Sequence, residues 1–207
     1  MDLTDPQNTE KSQDTRFVNR VFTRGEQELI SRAENRDAML WAIWAGKEAA
    51  YKAVSKNEPA ATSVPRSYNV SLNPWEESFP VRDRVLKGSV NTPYGDVTIE
   101  IIITADYVHC IGGTEAFDNG DRIVSHVERI DSHSEATPRN ESAFVRKSLG
   151  LRLSEHWNVS PENIEIRRVK SFSGMEPPVV LVNGKKAAID ISLSHDGSFA
   201  AYVFAES

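Results

Sequence analysis

Apolar residues recur at helical spacing near the start of the chain. Phe17, Val21 and Phe22 share one side of a helix that is predicted to begin near residue 16. Thr23 and Glu26 have the spacing of a capping box, which predicts the start of a second helix. The polar and apolar pattern therefore predicts two short helices in succession.

A third helix is predicted from Asp37, a natural N-cap, to about Ser55, because this stretch is dense in Ala, Leu, Met, Lys and Glu. Residues 57–77 carry three prolines and predict a loop. Val97–Thr104 is β-branched almost throughout and predicts a central strand, with Tyr107–Ile111 as its partner.

The remaining pattern predicts a helix and then strands. It predicts a helix over about Asn140–Trp157, a hairpin of Val179–Val182 and Ala187–Leu193 around Asn183-Gly184, and a last strand over Phe199–Phe204. The sequence thus favours an α+β fold, with helices packed on a mostly antiparallel sheet.

Composition and charge narrow the classes of partner. The chain has 207 residues and a formal net charge of −6, which gives no indication of nucleic-acid binding. No apolar run approaches the roughly 20 residues that a membrane-spanning helix needs, so no membrane partner is expected. Cys110 is the single cysteine and excludes an internal disulfide. A reducing, cytoplasmic setting is the expectation.

Glu48 and Lys52 are the first candidate site residues. They lie one turn apart on the same side of the third helix. Such a pair is commonly a surface ion pair. The surrounding Trp44, Ala45 and Ala49 are apolar or small, which favours a cleft beside this face. There, a carboxylate can bind Mg²⁺ and an ammonium can neutralise a phosphate oxygen.

A second candidate lies near the C-terminus. Ile189, Ile191 and Leu193 alternate with polar residues, and His195 falls where this strand ends before Gly197. A histidine in this position is either a turn residue or a ligand-binding residue, because strand ends let polar side chains reach a ligand.

Arg16, Arg20 and Arg24 recur at four-residue spacing and are predicted to line one side of a helix. Two interpretations stay open for these arginines. They form either a solvated helix face or a docking surface for an acidic partner.

Four segments resemble the 4'-phosphopantetheinyl transferase superfamily. The segment from Trp44 to Lys52 resembles its W-x-x-K-E-A-x-x-K signature, and Ile191-Ser192-Leu193-Ser194-His195 resembles its S-x-S-H strand. The segment from Arg16 to Glu26 is similar to the early helix-turn of the family. Gly174-Met175-Glu176-Pro177-Pro178 is similar to its G-K-P segment, with Glu in place of Lys. Together these matches cover roughly residues 2–55 and 163–205.

The resemblance implies a fold, an activity and a role for each residue. It implies a single domain over residues 1–207 with a mainly β segment inserted at about 57–160. The implied activity moves the 4'-phosphopantetheine group of coenzyme A to a serine of an acyl or peptidyl carrier protein, as in a holo-acyl-carrier-protein synthase. Mg²⁺ assists, and adenosine 3',5'-bisphosphate leaves. The implied roles are Glu48 and Lys52 in catalysis, Glu48 and Asp2 on the metal, Lys47, Lys52, Ser194 and His195 on coenzyme A, and Arg16, Arg20 and Arg24 on the carrier.

The order of the motifs leaves two quaternary structures open, and one departure from the family pattern leaves the metal ligand open. The K-E-A motif precedes the S-x-S-H motif, as in the short branch of the family, which implies a homotrimer, or a monomer if the inserted segment replaces a neighbouring subunit. The family's early G-x-D metal ligand would fall just before Met1 in this numbering. Either the chain given is shortened, or Asp2 serves as the ligand, or the activity is lost.

Two rival functions follow from that departure. The first is a degenerate homologue that binds coenzyme A or a carrier protein without transfer. The second is a structural α+β domain whose motif matches arose by chance.

Overall fold

Secondary structure confirms the α+β class that the sequence predicts. The computed structural model describes residues 1–73, 84–114, 123–130, 137–168, 170–171 and 174–206. The chain divides into two compact units, residues 1–118 and residues 119–207. The predicted single superfamily-like domain with an inserted segment stays a prediction.

Three helices open the first unit. They are α1 (Thr15–Val21), α2 (Arg24–Arg32) and α3 (Arg36–Ser55). The predicted capping box is confirmed, because Thr23 and Glu26 bind each other's backbone N–H groups at the start of α2. The predicted N-cap of α3 is wrong by two residues. Asn35 accepts the Ala38 N–H, and Asp37 instead accepts two backbone N–H groups of the N-terminal segment.

An antiparallel sheet of four strands follows. It contains β1 (Asn69–Leu72), β2 (Arg84–Thr92), β3 (Gly95–Ile103) and β4 (Val108–Gly113), in that order. The predicted pairing of β3 with β4 is confirmed. The predicted loop over 57–77 is wrong at β1, because Val70 is buried and pairs with Val90 of β2. The part of that loop from residue 74 onward lies outside the described residues.

The chain start extends this sheet beyond β4. The Val108 N–H donates to the Met1 carbonyl at 2.9 Å, and the Leu3 N–H donates to the Asp106 carbonyl at 2.8 Å. This pairing places Asp2 directly opposite Tyr107.

The sheet packs against α3. Ile43, Ala50 and Val54 of the helix are buried in one core with residues of β1 and β3. Gly112 of β4 allows the closest approach, since a Cβ atom there would lie 3.2 Å from the Ala49 Cβ. The backbone of α3 is therefore held directly against β4.

A buried ion pair joins α2, α3 and the chain before β1. The Lys47 ammonium donates to Glu26 Oε1 at 2.7 Å and to the carbonyls of Pro65 and Tyr68. The same Glu26 oxygen accepts the Val70 N–H at 2.8 Å. Both side chains are almost fully buried, with 3% of Lys47 and 1% of Glu26 exposed. Burial lowers the pKa of Lys47, and the hydrogen bond to Glu26 opposes that shift.

The second unit contains one long helix and several short ladders. Its elements are β5 (Ile123–Arg129), α4 (Pro138–Trp157), β6 (Ile164–Arg167), β7 (Lys170–Ser171), β8 (Gly174–Met175), β9 (Val179–Val182), β10 (Lys185–Lys186), β11 (Ile189–Asp196) and β12 (Phe199–Glu206). All ladders are antiparallel, with orders β11-β12-β5, β10-β9-β6 and β7-β8. The apolar side of α4 packs on β11 and β12.

The predicted hairpin is partly wrong. Asn183 and Gly184 form the turn with positive φ angles, but they connect β9 to the two-residue strand β10. β11 instead pairs along its whole length with β12, where Ile191 and Leu193 reach the core beneath α4. Burial of these side chains decides the partner of the strand.

No helix in the described part of the chain combines the length and the apolar composition needed to cross a membrane.

We predict that Lys47→Met lowers the free energy of unfolding of the first unit by about 3–5 kcal/mol, because Glu26 is left buried and uncompensated. Urea unfolding followed by tryptophan fluorescence measures this change. A Trp157→Phe background leaves only tryptophans that lie within residues 1–118.

The control is Lys87→Met, since the ion pair of Lys87 with Glu100 is 3.6 Å long and 70% of the Lys87 side chain is exposed. A cost within about 1 kcal/mol is expected for this control. Equal losses in both variants contradict the structural role of Lys47.

A pH dependence follows from His109, which is buried on β4. Burial, then the N-terminal amine and Lys52, lower the pKa of His109 from 6.5 to about 4. Between these values the unfolded chain binds a proton that the folded chain does not, so stability falls as the pH falls from 6.5 towards 4. The full loss is about 3 kcal/mol, at about 1.4 kcal/mol for each pH unit.

Unfolding free energies at pH 7.5 and pH 4.5, compared between the Trp157→Phe protein and the same protein with His109→Gln, isolate this contribution. The pH dependence should be shallower in the His109→Gln protein. Identical pH dependence in the two proteins rules out His109 as the cause.

Candidate functional site

Helix α3 carries the first group of predicted site residues. Glu48 and Lys52 lie one turn apart on it, so the prediction that they share one side of a helix is confirmed. Both are partly buried, and the fully buried Gly46 and Ala50 occupy the side of the helix that faces the sheet. The acid and the amine therefore lie at the border of the packed face.

Lys47 has a different environment from its neighbour Glu48. Its ammonium has three donor positions, and Glu26, Pro65 and Tyr68 accept from it inside the core. This geometry gives Lys47 a structural role, and the site proposed below does not include it. The capping-box residue Glu26 is the partner that sequence reasoning missed.

Two of the predicted site residues, Asp2 and Lys52, lie near the same end of β4. Asp2 lies opposite Tyr107, two residues before His109. Lys52 is close enough to His109 to contribute to its lowered pKa. The structure thus brings the Asp2 segment and the Lys52 side chain to one region around His109, which is not among the predicted site residues.

Asp2 itself is buried, with 1% of its surface exposed. Its Oδ1 accepts the Thr4 backbone N–H at 2.8 Å and the Thr4 hydroxyl at 2.6 Å. These hydrogen bonds hold the carboxylate in one orientation.

The three predicted carrier-binding arginines do not lie on one helix. Arg16 and Arg20 are exposed on α1, but the chain leaves the helix at Phe22, and Arg24 is the first residue of α2. Arg24 lies 3.6 Å from Glu28 in an exposed ion pair. Arg16 and Arg20 remain a pair of exposed cations one turn apart.

In the second unit, β11 ends as predicted. His195 is its second-last residue, and Gly197 follows with a positive φ angle of 56°. Successive side chains of a strand face opposite sides, so Ser194 and His195 point to opposite faces of the sheet. His195 shares its face with Ile191 and Leu193.

His195 has a partner that the sequence did not indicate. Its Nδ1 lies 2.8 Å from Oε2 of Glu141, which is in the first turns of α4. The only sequence signal is the place of Glu141 four residues before Val145, which starts the buried stripe of α4. A carboxylate on that stripe requires a polar partner on the sheet.

The described residues were compared with the side-chain clusters that bind metal ions. Among them, no group of three or more His, Cys, Asp or Glu side chains is arranged to hold a metal ion. Burial raises the pKa of the Cys110 thiol, which favours its protonated form.

Comparisons with known proteins bear on the first unit. Comparison with curated proteins and comparison with solved structures each gave no match. Residues 1–86 of the 207 match the family model described as the 4'-phosphopantetheinyl transferase superfamily. That stretch contains α1, α2 and the whole of α3. This match supports the superfamily resemblance of the sequence motifs, and with it a transferase of the phosphopantetheinyl kind.

Proposed function

We propose that this protein transfers the 4'-phosphopantetheine group of coenzyme A to a serine of an acyl or peptidyl carrier protein. The observation that carries the proposal is the family match over residues 1–86, because it includes the helix with Glu48 and Lys52. A holo-acyl-carrier-protein synthase is the specific activity that we propose.

Mg²⁺ fits the residues of the first unit. This ion is commonly bound through one or two carboxylates, while water and substrate phosphates complete its shell. The partly exposed carboxylate of Glu48 meets that requirement. Asp2 is the second carboxylate, and its hydrogen bonds from Thr4 resemble those that orient metal-ligating carboxylates. Bound Mg²⁺ would neutralise charge on the diphosphate of coenzyme A.

The proposed reaction is a displacement at phosphorus. The carrier serine oxygen forms a bond to the phosphorus next to the pantetheine arm, and the bond from that phosphorus to the bridging oxygen breaks. Adenosine 3',5'-bisphosphate leaves, and the serine proton passes to Glu48 directly or through water. Lys52 neutralises the bridging and leaving-side oxygens, so positioning and charge carry most of the catalysis.

The other predicted coenzyme A residues, Ser194 and His195, belong to the second unit. His195 and Ser194 are proposed to hold phosphates of coenzyme A. The two quaternary arrangements that the resemblance implies, a homotrimer and a monomer, stay predictions, and light scattering on the purified protein separates them by mass.

We predict that Glu48→Gln lowers transfer of the phosphopantetheine arm from fluorescent coenzyme A to an apo-carrier by about a hundredfold or more. The reason is that Mg²⁺ loses a carboxylate ligand and the serine proton loses its acceptor. Gel fluorescence with and without Mg²⁺ measures this transfer, and the thermal midpoint checks the fold. Glu58→Gln is the matched control, since Glu58 is an exposed carboxylate just beyond α3.

Transfer at the wild-type rate in Glu48→Gln removes this residue from the reaction. Calorimetric binding of coenzyme A by the wild-type protein, without transfer to any of several carriers at excess Mg²⁺, supports the degenerate homologue instead.

A second prediction concerns the carrier. Reversing both exposed charges of α1, in Arg16→Glu/Arg20→Glu, should raise the KM for an acidic carrier about tenfold at low salt and leave kcat unchanged. The difference from wild type should shrink as salt screens these charges. Arg36→Glu, an exposed charge at the start of α3, is the control. An unchanged KM in the double variant would leave these two arginines without a role in docking.

A further inference from the structure

The helix α4 breaks its own apolar pattern at one position. Val145, Leu149 and Leu153 recur every fourth residue and are fully buried against the sheet. Glu141 is the preceding member of this series, one turn earlier on the same side of the helix. Only 14% of the Glu141 side chain is exposed, and a carboxylate is rarely this buried unless it is paired.

The sheet presents a matching polar row. His195 of β11, Ala200 of β12 and Glu128 of β5 are direct neighbours across the three strands. The next row on this face contains Leu193, Tyr202 and His126, and the row after it is apolar, with Ile191, Phe204 and Val124. Glu141 therefore meets the sheet at the row that contains the predicted ligand residue.

The contact engages a particular nitrogen of the imidazole. Nδ1 of His195 lies 2.8 Å from Glu141 Oε2, and a carboxylate can only accept from it. The hydrogen bond made by one ring nitrogen fixes the tautomer and the orientation of the ring. With Nδ1–H donated to Glu141, Nε2 is the ring nitrogen left to face the ligand, and it donates to a phosphate oxygen when it carries a proton of its own.

We propose that Glu141 is a positioning residue that holds His195 by Nδ1 and directs Nε2 to the ligand. The inference rests on the proposed function for the identity of that ligand, coenzyme A. A carboxylate on the buried stripe of α4 has no packing advantage, because Leu or Val there would continue the core. Its use is the orientation of the imidazole.

Glu128 is the acid of this face that lies in the same row as His195. Glu128 has a buried carboxylate oxygen, Oε1, that lacks a hydrogen-bond partner. It is close enough to Tyr202 to contribute, after burial, to the raised pKa of that hydroxyl. Glu128 is the alternative carboxylate partner for His195, and the experiment includes it for that reason.

The test reads the tautomer of His195 and the transfer reaction separately, on the full chain. With ¹⁵N-labelled histidine, two-bond correlation spectra at pH 8 distinguish a proton on Nδ1 from a proton on Nε2. We expect Nδ1–H for His195 in the wild-type protein and in Glu141→Gln, whose amide oxygen still accepts. We expect a shift towards Nε2–H, the preferred form of free imidazole, in Glu141→Ala.

Transfer should weaken when the Glu141 contact is lost, because the imidazole is then no longer held in one orientation. Glu141→Ala is expected to lower kcat/KM for coenzyme A about tenfold or more, mainly through KM, and Glu141→Gln to restore most of it. The matched control is Glu206→Ala, which removes the acid from the more exposed His156–Glu206 pair, 3.2 Å long, in the same unit. This control should change the His156 signals and leave His195 and transfer unchanged.

Three outcomes overturn the proposal. They are an unchanged His195 tautomer in Glu141→Ala, a tautomer shift in Glu128→Gln in its place, and an unchanged kcat/KM despite the shift. A wild-type protein that transfers nothing overturns the proposed function instead, and the tautomer measurement still tests the Glu141 contact alone.

Discussion

The Glu26–Lys47 ion pair is the interaction on which the first unit depends. Removing two charges from water is costly, and the interior repays that cost only when every donor and acceptor finds a partner. Here they do: Glu26 binds Lys47, the Val70 N–H and the start of its own helix, while Lys47 also reaches two carbonyls. One acid and one amine therefore join α2, α3 and β1.

This pair also sets the rotation of α3. Lys47 must point at Glu26, and each residue of an α-helix turns by about 100° from the one before it. Glu48 is consequently turned away from the core, and Lys52 follows it one turn later on the same side. A helix held only by Ile43, Ala50 and Val54 has a smooth apolar side that permits small rotations. The buried charges remove that freedom.

Local signals in the sequence predicted much of this structure. The capping box at Thr23 and the β-branched run in β3 needed only neighbouring residues, and both are confirmed. The spacing of Glu48 and Lys52 fixed their shared side for the same reason. Errors arose where a distant contact decided the outcome, as for β11, whose partner was chosen by the core beneath α4.

Lys47 shows this limit most clearly. In sequence it is a lysine next to the candidate acid and resembles a phosphate ligand. Its burial depends on Glu26 and Tyr68, each 21 residues away, and no periodicity reports such a contact. Glu141 and His195 are 54 positions apart in the chain, and the sequence pattern predicted the strand end at His195 but not the helix that covers it.

Each unit contains a largely buried charged residue on a helix that is paired with a partner in the same unit. A charged residue replaces an apolar one on a buried side of a helix, and it is neutralised or hydrogen-bonded within that unit. An unpaired charge in either place would be strongly destabilising, so the partner is fixed as firmly as the core itself. Each pair orients a predicted functional residue: Lys47 turns Glu48, and Glu141 holds His195. Local disagreement with the hydrophobic pattern therefore identifies, in each unit, a residue that positions a predicted functional side chain.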